Sequence, residues 1–208
     1  MSDVLHPLGA LTRLDLLAAS TASALSGWAD AATTSLVGQA QVVEIDPDLA
    51  DTAAFCERYG VALADSANCV IVASRRGGDT TLAACVVLAT TRADVNGLVR
   101  RHLAARKVSF APMETAVSGS AMEYGGITPV GLPADWPVLV DRAVVEHPRV
   151  LIGSGLRRSK LWVPGALLAA LPGAQVLDGL GQPSPSPEGR AAQAAQAALP
   201  PERQPPEK

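Results

Sequence analysis

Aromatic side chains are scarce in this chain of 208 residues: phenylalanine, tryptophan and tyrosine together make up 3%. That excludes the broad stacking platforms on which single-strand nucleic-acid binders lay successive bases. Cysteine is nearly as rare, with only Cys56, Cys69 and Cys85, and these form no Cys-x-x-Cys pair and no Cys/His ligand spacing. Neither a disulfide framework nor a zinc site is therefore implied. No apolar run reaches the roughly 18 residues that span a bilayer, although mean hydropathy is +0.21. The opening Met1-Ser2-Asp3-Val4 lacks the basic and apolar stretches of a secretory signal. These absences lead to the expectation of a reduced, cytoplasmic, globular protein with no membrane association. The length suffices for one ordinary domain with its own core.

Conventional catalytic sets are missing too. There is no His-Glu-x-x-His, no Walker loop and no complete dinucleotide fingerprint. Gly153-Ser154-Gly155 lacks the third glycine that such a turn needs. His6, His102 and His147 are scattered and have no evident serine or cysteine partner, so packing roles are expected for them.

Charge is present but unevenly spread. The net charge of -3 averages an acidic front, with nine acidic and two basic residues in 1–66, over a basic centre, with twelve basic and seven acidic residues in 67–165. A local basic groove of this kind suits one phosphate-bearing ligand. A pI near 5.6 does not suit a protein that coats a polyanion.

The chain divides by composition into a helix-forming N-terminal extension (1–41), a mixed central region (42–181) and a Pro/Ala-rich tail (182–208) with too little bulky apolar content to order itself. In the extension, Leu8, Leu11, Leu14, Leu16 and Leu17 form a partly periodic apolar face. In the centre, Val42-Val43-Glu44-Ile45 reads as a strand. Asp46-Pro47-Asp48 and Asp51 cap a helix that Gly60 stops. Two β-rich runs, from Asn68 and from Thr81, flank Arg75-Arg76-Gly77-Gly78-Asp79 and predict a hairpin. Pairing Ser74 with Thr80 would set Cys69 opposite Cys85. Further strands are expected at 108–110, 138–140, 150–152 and 160–162, and helices from Asp94, Glu114 and Pro164. The pattern predicts an α+β fold with a mixed, mostly antiparallel sheet rather than a doubly wound one.

The most informative stretch is Tyr124-Gly125-Gly126-Ile127-Thr128-Pro129-Val130-Gly131-Leu132-Pro133. Paired glycines let a ligand approach the backbone, and the prolines stiffen the exit, so backbone N–H groups can stay aimed at a carbonyl oxygen. A rigid connecting loop with no ligand accounts for the same residues.

This Gly-x-x-x-Pro stretch resembles the loop of the YbaK/aminoacyl-tRNA editing family, which includes the insertion domain of bacterial prolyl-tRNA synthetase and its free-standing relatives. Arg58-Tyr59-Gly60-Val61, the strand from Asn68, Val138-Leu139-Val140-Asp141, and Val150-Leu151-Ile152-Gly153-Ser154-Gly155 with Arg157-Arg158-Ser159-Lys160 follow in the family's order over about residues 42–178. The resemblance implies a barrel-like mixed sheet with surrounding helices and no metal or other cofactor. It implies hydrolysis, in trans, of the ester between a small amino acid and tRNA, using backbone groups of the loop and a ribose hydroxyl. By the same resemblance Gly125, Gly126, Ile127, Thr128 and Pro129 form the catalytic loop, while Asn68, Asp141, Ser154 and Gly155 contact substrate. Arg157, Arg158 and Lys160, with Arg75, Arg76, Arg100 and Arg101, are candidates for tRNA contacts. The partner is the acceptor end of an aminoacyl-tRNA, with a synthetase as a further possible partner.

One departure stands out. Where the family usually carries a lysine, this chain has Asn68, which offers donors and an acceptor but no cation. Arg75 and Arg76 lie at the far end of the same strand, about 25 Å away. Lys160 or Arg158 could approach from the closing strand. Two functions follow from the resemblance: a deacylase for small residues such as alanine, serine or cysteine, or a catalytically idle module that binds tRNA or an amino acid.

Overall fold

The computed structural model describes residues 4–28 and 31–183; most of the Pro/Ala-rich tail lies outside them. In chain order the strands are β1 (Leu8–Gly9), β2 (Gln41–Glu44), β3 (Ala67–Arg76), β4 (Asp79–Leu88), β5 (Thr91–Ala93), β6 (Lys107–Phe110), β7 (Val138–Asp141), β8 (Val150–Gly153), β9 (Ser159–Val163), β10 (Ala174–Leu177) and β11 (Gly181–Pro183). The helices are α1 (Ala19–Gly27), α2 (Ala31–Val37), α3 (Thr52–Tyr59), α4 (Arg100–His102), α5 (Met113–Ser120), α6 (Arg142–Val145) and α7 (Gly165–Ala169).

Two main sheets result. One has the order β1-β2-β9-β8 and is wholly antiparallel. The other has the order β10-β7-β4-β3-β6, antiparallel through β4-β3-β6 and parallel through β10-β7-β4. A bridge between Ser66 and Leu151 joins the start of β3 to β8, so the sheets meet along one edge without closing a barrel. The mixed, mostly antiparallel α+β fold expected from the sequence is therefore present.

Period-2 alternation explains the layering. On β4, Ala84 and Val86 enter the core between the sheets, while Ala83, Cys85 and Val87 enter a second cluster with Val95, Val99 and Leu180. Both faces of β4 are thus buried from Ala83 to Val87, and its sequence is continuously apolar from Leu82 onward. A third cluster gathers around Phe55, with Val43, Ile45, Cys56 and Leu151.

The hairpin register differs from the expected one by a single residue. Arg76 pairs with Asp79 across a two-residue turn, which places Val70 opposite Cys85 and Val86 opposite Cys69. Gly77 and Gly78 have φ of 59° and 101°, the positive values that a tight hairpin turn requires. The turn, rather than strand composition, sets the register. All three cysteines are free.

The first 40 residues also differ from a simple helical extension. Two 3-10 turns (Ala10–Thr12 and Leu14–Leu16) precede α1. Leu16, Leu17 and Leu25 are buried in the main core, whereas Leu8, Leu11 and Leu14 are exposed. This segment braces the candidate site from behind: Ala18 N–H donates to Ser154 O, and Thr21 Oγ1 donates to Val130 O. Gln182 and Pro183, assigned to the tail by composition, pair with β5.

Candidate functional site

A cavity of about 530 Å³ opens between the two sheets, large enough for a nucleoside-sized ligand. Its wall comes from six places in the chain. The start of α3 supplies Asp51 and Thr52, β3 supplies Asn68 and Ile71, and the β6–α5 region supplies Phe110 and Met113. Tyr124, Gly125 and Ile127 come from the glycine loop, and Gly153 and Lys160 from β8 and β9.

The loop is held by backbone contacts that only glycine permits. Gly125 has φ of 80°. Gly126 donates its N–H to Glu123 O at 2.9 Å and accepts from Gly155 N–H at 2.7 Å. A Cβ on Gly126 would lie 2.6 Å from the Leu156 carbonyl, and one on Gly153 would lie 2.3 Å from Gly126 O. The loop and the 153–157 turn are therefore pressed together, backbone on backbone. Gly125 and Ile127 line the cavity, and neither N–H has an acceptor among the described residues.

Arg157 fastens this arrangement. Its backbone N–H donates to Glu123 Oε2 at 2.6 Å, Nη1 donates to Tyr124 O at 3.0 Å, and Nη2 donates to Pro47 O at 2.9 Å. One guanidinium thus ties the glycine loop to the turn before α3.

Asn68 faces the cavity half-buried, and its Oδ1 accepts from Thr52 Oγ1 at 2.8 Å. The side-chain N–H₂ has no partner among the described residues. Lys160 enters from the other sheet. It is only 6% exposed, donates to Ala50 O at 2.6 Å, and lies 5.8 Å from the Phe55 ring centre. Burial pushes its pKa down from 10.5 to about 8, partly opposed by Cys56 and Asp51 and assisted by Arg157. Cys69 also lines the cavity, but burial pushes its thiol well up, so it stays protonated and is a poor nucleophile.

The remaining sequence-derived candidates sit elsewhere. Thr128 is fully buried, with its N–H on the Met122 sulfur at 3.4 Å. Pro129 lines a separate apolar cleft of about 300 Å³ beside Trp28. Ser154 is buried behind the turn, its Oγ 2.7 Å from Ser159 Oγ. Gly155 supplies the bond to Gly126 and packs under Ala18, 2.3 Å from where its own Cβ would sit. Asp141 lies outside the cavity lining and caps α6 through Ala143 N–H, while also accepting from Gly181 N–H. Arg158 donates to Asp15 O at 2.6 Å.

The fold makes a second basic feature that composition only hinted at. Arg75 and Arg76 at the hairpin tip meet Arg106 and Lys107 around an open groove. Neither Arg100 nor Arg101 lines it. His102 bonds Gln175, and His147 faces Asp65 at 3.4 Å, so both have packing partners.

Comparison with known proteins supplies the remaining observation. The model of the aminoacyl-tRNA editing domain family matches residues 46–171. Among solved structures, a candidate trans-editing enzyme for prolyl-tRNA synthetase shares 23% identity at a TM-score of 0.62, covering 80% of this chain and 99% of that one. A scaffold from epitope-backbone grafting by computational design gives 22% identity and a TM-score of 0.63, covering 79% and 97%. A hypothetical protein gives 19% and 0.62, covering 72% and 95%. No curated protein matches the chain.

Proposed function

Because the chain belongs to the aminoacyl-tRNA editing domain family, we propose that it hydrolyses the ester joining a small amino acid to the 3′ end of tRNA, acting in trans in the cytoplasm. The observation that carries this reading is the pair of unengaged N–H groups, on Gly125 and Ile127, at the wall of a nucleoside-sized cavity. In the reaction water adds to the ester carbonyl, and the carbonyl oxygen becomes an oxyanion that those N–H groups stabilise. Collapse breaks the bond to the ribose oxygen, which takes up one proton of the attacking water and leaves as a hydroxyl, and the amino acid gives the other proton to solvent and departs as its carboxylate. Such an ester is already activated, so orientation and oxyanion stabilisation supply the acceleration without a nucleophilic side chain.

The lining beside Asn68, with Ala67, Ile71, Ala111 and Ala116, favours small side chains over bulky ones. Contacts of this kind separate neighbours by about 1–3 kcal/mol per methylene, so the enzyme is expected to accept a class such as alanine, serine and cysteine. Asp141 and Ser154 act by holding the surrounding backbone. The cations at the hairpin tip fit acceptor-stem phosphates.

The decisive experiment is release of amino acid from a panel of correctly charged and mischarged tRNAs. Release well above the buffer rate for at least one small residue is expected. Asn68 in the family's lysine position favours a second reading, binding without hydrolysis. Retention of tRNA on the protein with every ester intact would establish it.

A further inference from the structure

We propose that Lys160 is the anion-holding group of this cavity and receives the phosphate on the 5′ side of the terminal adenosine. The inference rests on the aminoacyl-tRNA reading of the site and deepens it by naming which substrate group the ammonium meets.

Lys160 carries a buried charge with no ion-pair partner: it is 6% exposed, and among the described residues no carboxylate lies within salt-bridge distance of it. Its one hydrogen bond goes to a backbone carbonyl, that of Ala50. An ammonium has three donors, so two remain. A buried cation without a counter-ion is costly to the fold, and an apolar residue would fill this place on β9 more cheaply. The ionisable groups near it are Asp51 and Cys56, at the start of and within α3, and Arg157 from the turn. Arg157 is occupied by Tyr124 O and Pro47 O, which leaves Lys160 as the cation in the wall with donors to spare.

The chemistry of the substrate then selects the contact. The end of an aminoacyl-tRNA carries a cationic α-amino group and an anionic phosphodiester. An ammonium repels the first and attracts the second. Lys160 and the glycine loop lie in the same wall, so a phosphate held by Lys160 fixes the position of the ester along the cavity. The cation arrives from β9, in the sheet opposite the one that carries Asn68.

The test uses two stable analogues, 3′-aminoacylamino-3′-deoxyadenosine with and without a 5′-phosphate, titrated calorimetrically into the full chain and into Lys160→Met and Lys160→Arg. In the parent the phosphate should tighten binding about tenfold at pH 7. Lys160→Met should abolish that ratio while still binding the unphosphorylated analogue, and Lys160→Arg should keep part of it. An unchanged ratio in Lys160→Met, in a protein whose thermal unfolding shows it is folded, overturns the assignment. If the parent binds neither analogue, the aminoacyl-tRNA reading of the cavity fails, and this proposal fails with it.

Discussion

The N–H of Gly155 donates to the carbonyl of Gly126 at 2.7 Å, joining the glycine loop to the closing turn. The contact is backbone to backbone, so its length is set by the absence of side chains on Gly126 and Gly153.

Gly126→Ala is expected to act through that contact. The new methyl would meet Leu156 backbone atoms at 2.6 Å, so the loop must move away and carry the Ile127 N–H with it. Release of amino acid should fall by more than about a hundredfold, as for loss of an oxyanion donor. Stability should fall by about 1–3 kcal/mol, as for overpacking of a tight contact. Rates and urea unfolding on the same preparation separate the two effects.

Arg157→Ala removes the link from the loop to Pro47 and Tyr124. A modest stability loss, about 1 kcal/mol, should accompany at least a tenfold loss of rate, because the loop is no longer held in place. Arg157→Lys should not restore activity, since a point cation cannot span both carbonyls as the guanidinium fork does. Full activity in Arg157→Lys would show that charge alone matters at this position.

The pH response of Lys160 has a definite sign. Burial lowers its pKa from 10.5 to about 8, so between those values the unfolded chain holds the proton and the folded chain does not. The contribution of this group to stability therefore rises with pH from about 8 to about 10.5 and is lost as pH falls through about 8. Lys160→Met should lack that rise and should be no less stable than the parent at pH 7. Binding of a phosphate-bearing ligand has the opposite trend, weakening above about pH 8 as the ammonium is lost. Lys160→Arg should move that weakening to higher pH.

Arg75→Ala and Arg106→Ala test the hairpin-tip groove. Each should raise KM for a full-length aminoacyl-tRNA and lower the slope of log affinity against log salt by about 1. Neither should alter binding of the small adenosine analogues, because the tip lies about 25 Å along β3 from Asn68. An unchanged KM in both variants would place the tRNA elsewhere on the surface.

Much of this protein was determined by local sequence. Short β-rich apolar runs specify β3, β4, β7 and β8, and Gly60, with φ of 69°, ends α3 where sequence logic places the stop. The order of the Gly125-x-x-x-Pro129 loop and the later motifs was enough to point to the editing family. Such features depend on a few adjacent residues, so they are readable one segment at a time. The tertiary structure decided matters that require distant segments to meet. The two-residue Gly77-Gly78 turn shifted the hairpin register by one, and packing buried Leu16 and Leu17 while leaving Leu8, Leu11 and Leu14 exposed. Charge is the clearest case. In sequence Lys160 stands with Arg157 and Arg158 as one basic cluster, but of the three only Lys160, paired on β9 between β2 and β8, lines the cavity, while the two arginines lie in the turn before the strand. Whether a lysine is a solvated surface charge or a buried ammonium depends on what packs over it, and that is a property of the assembled fold.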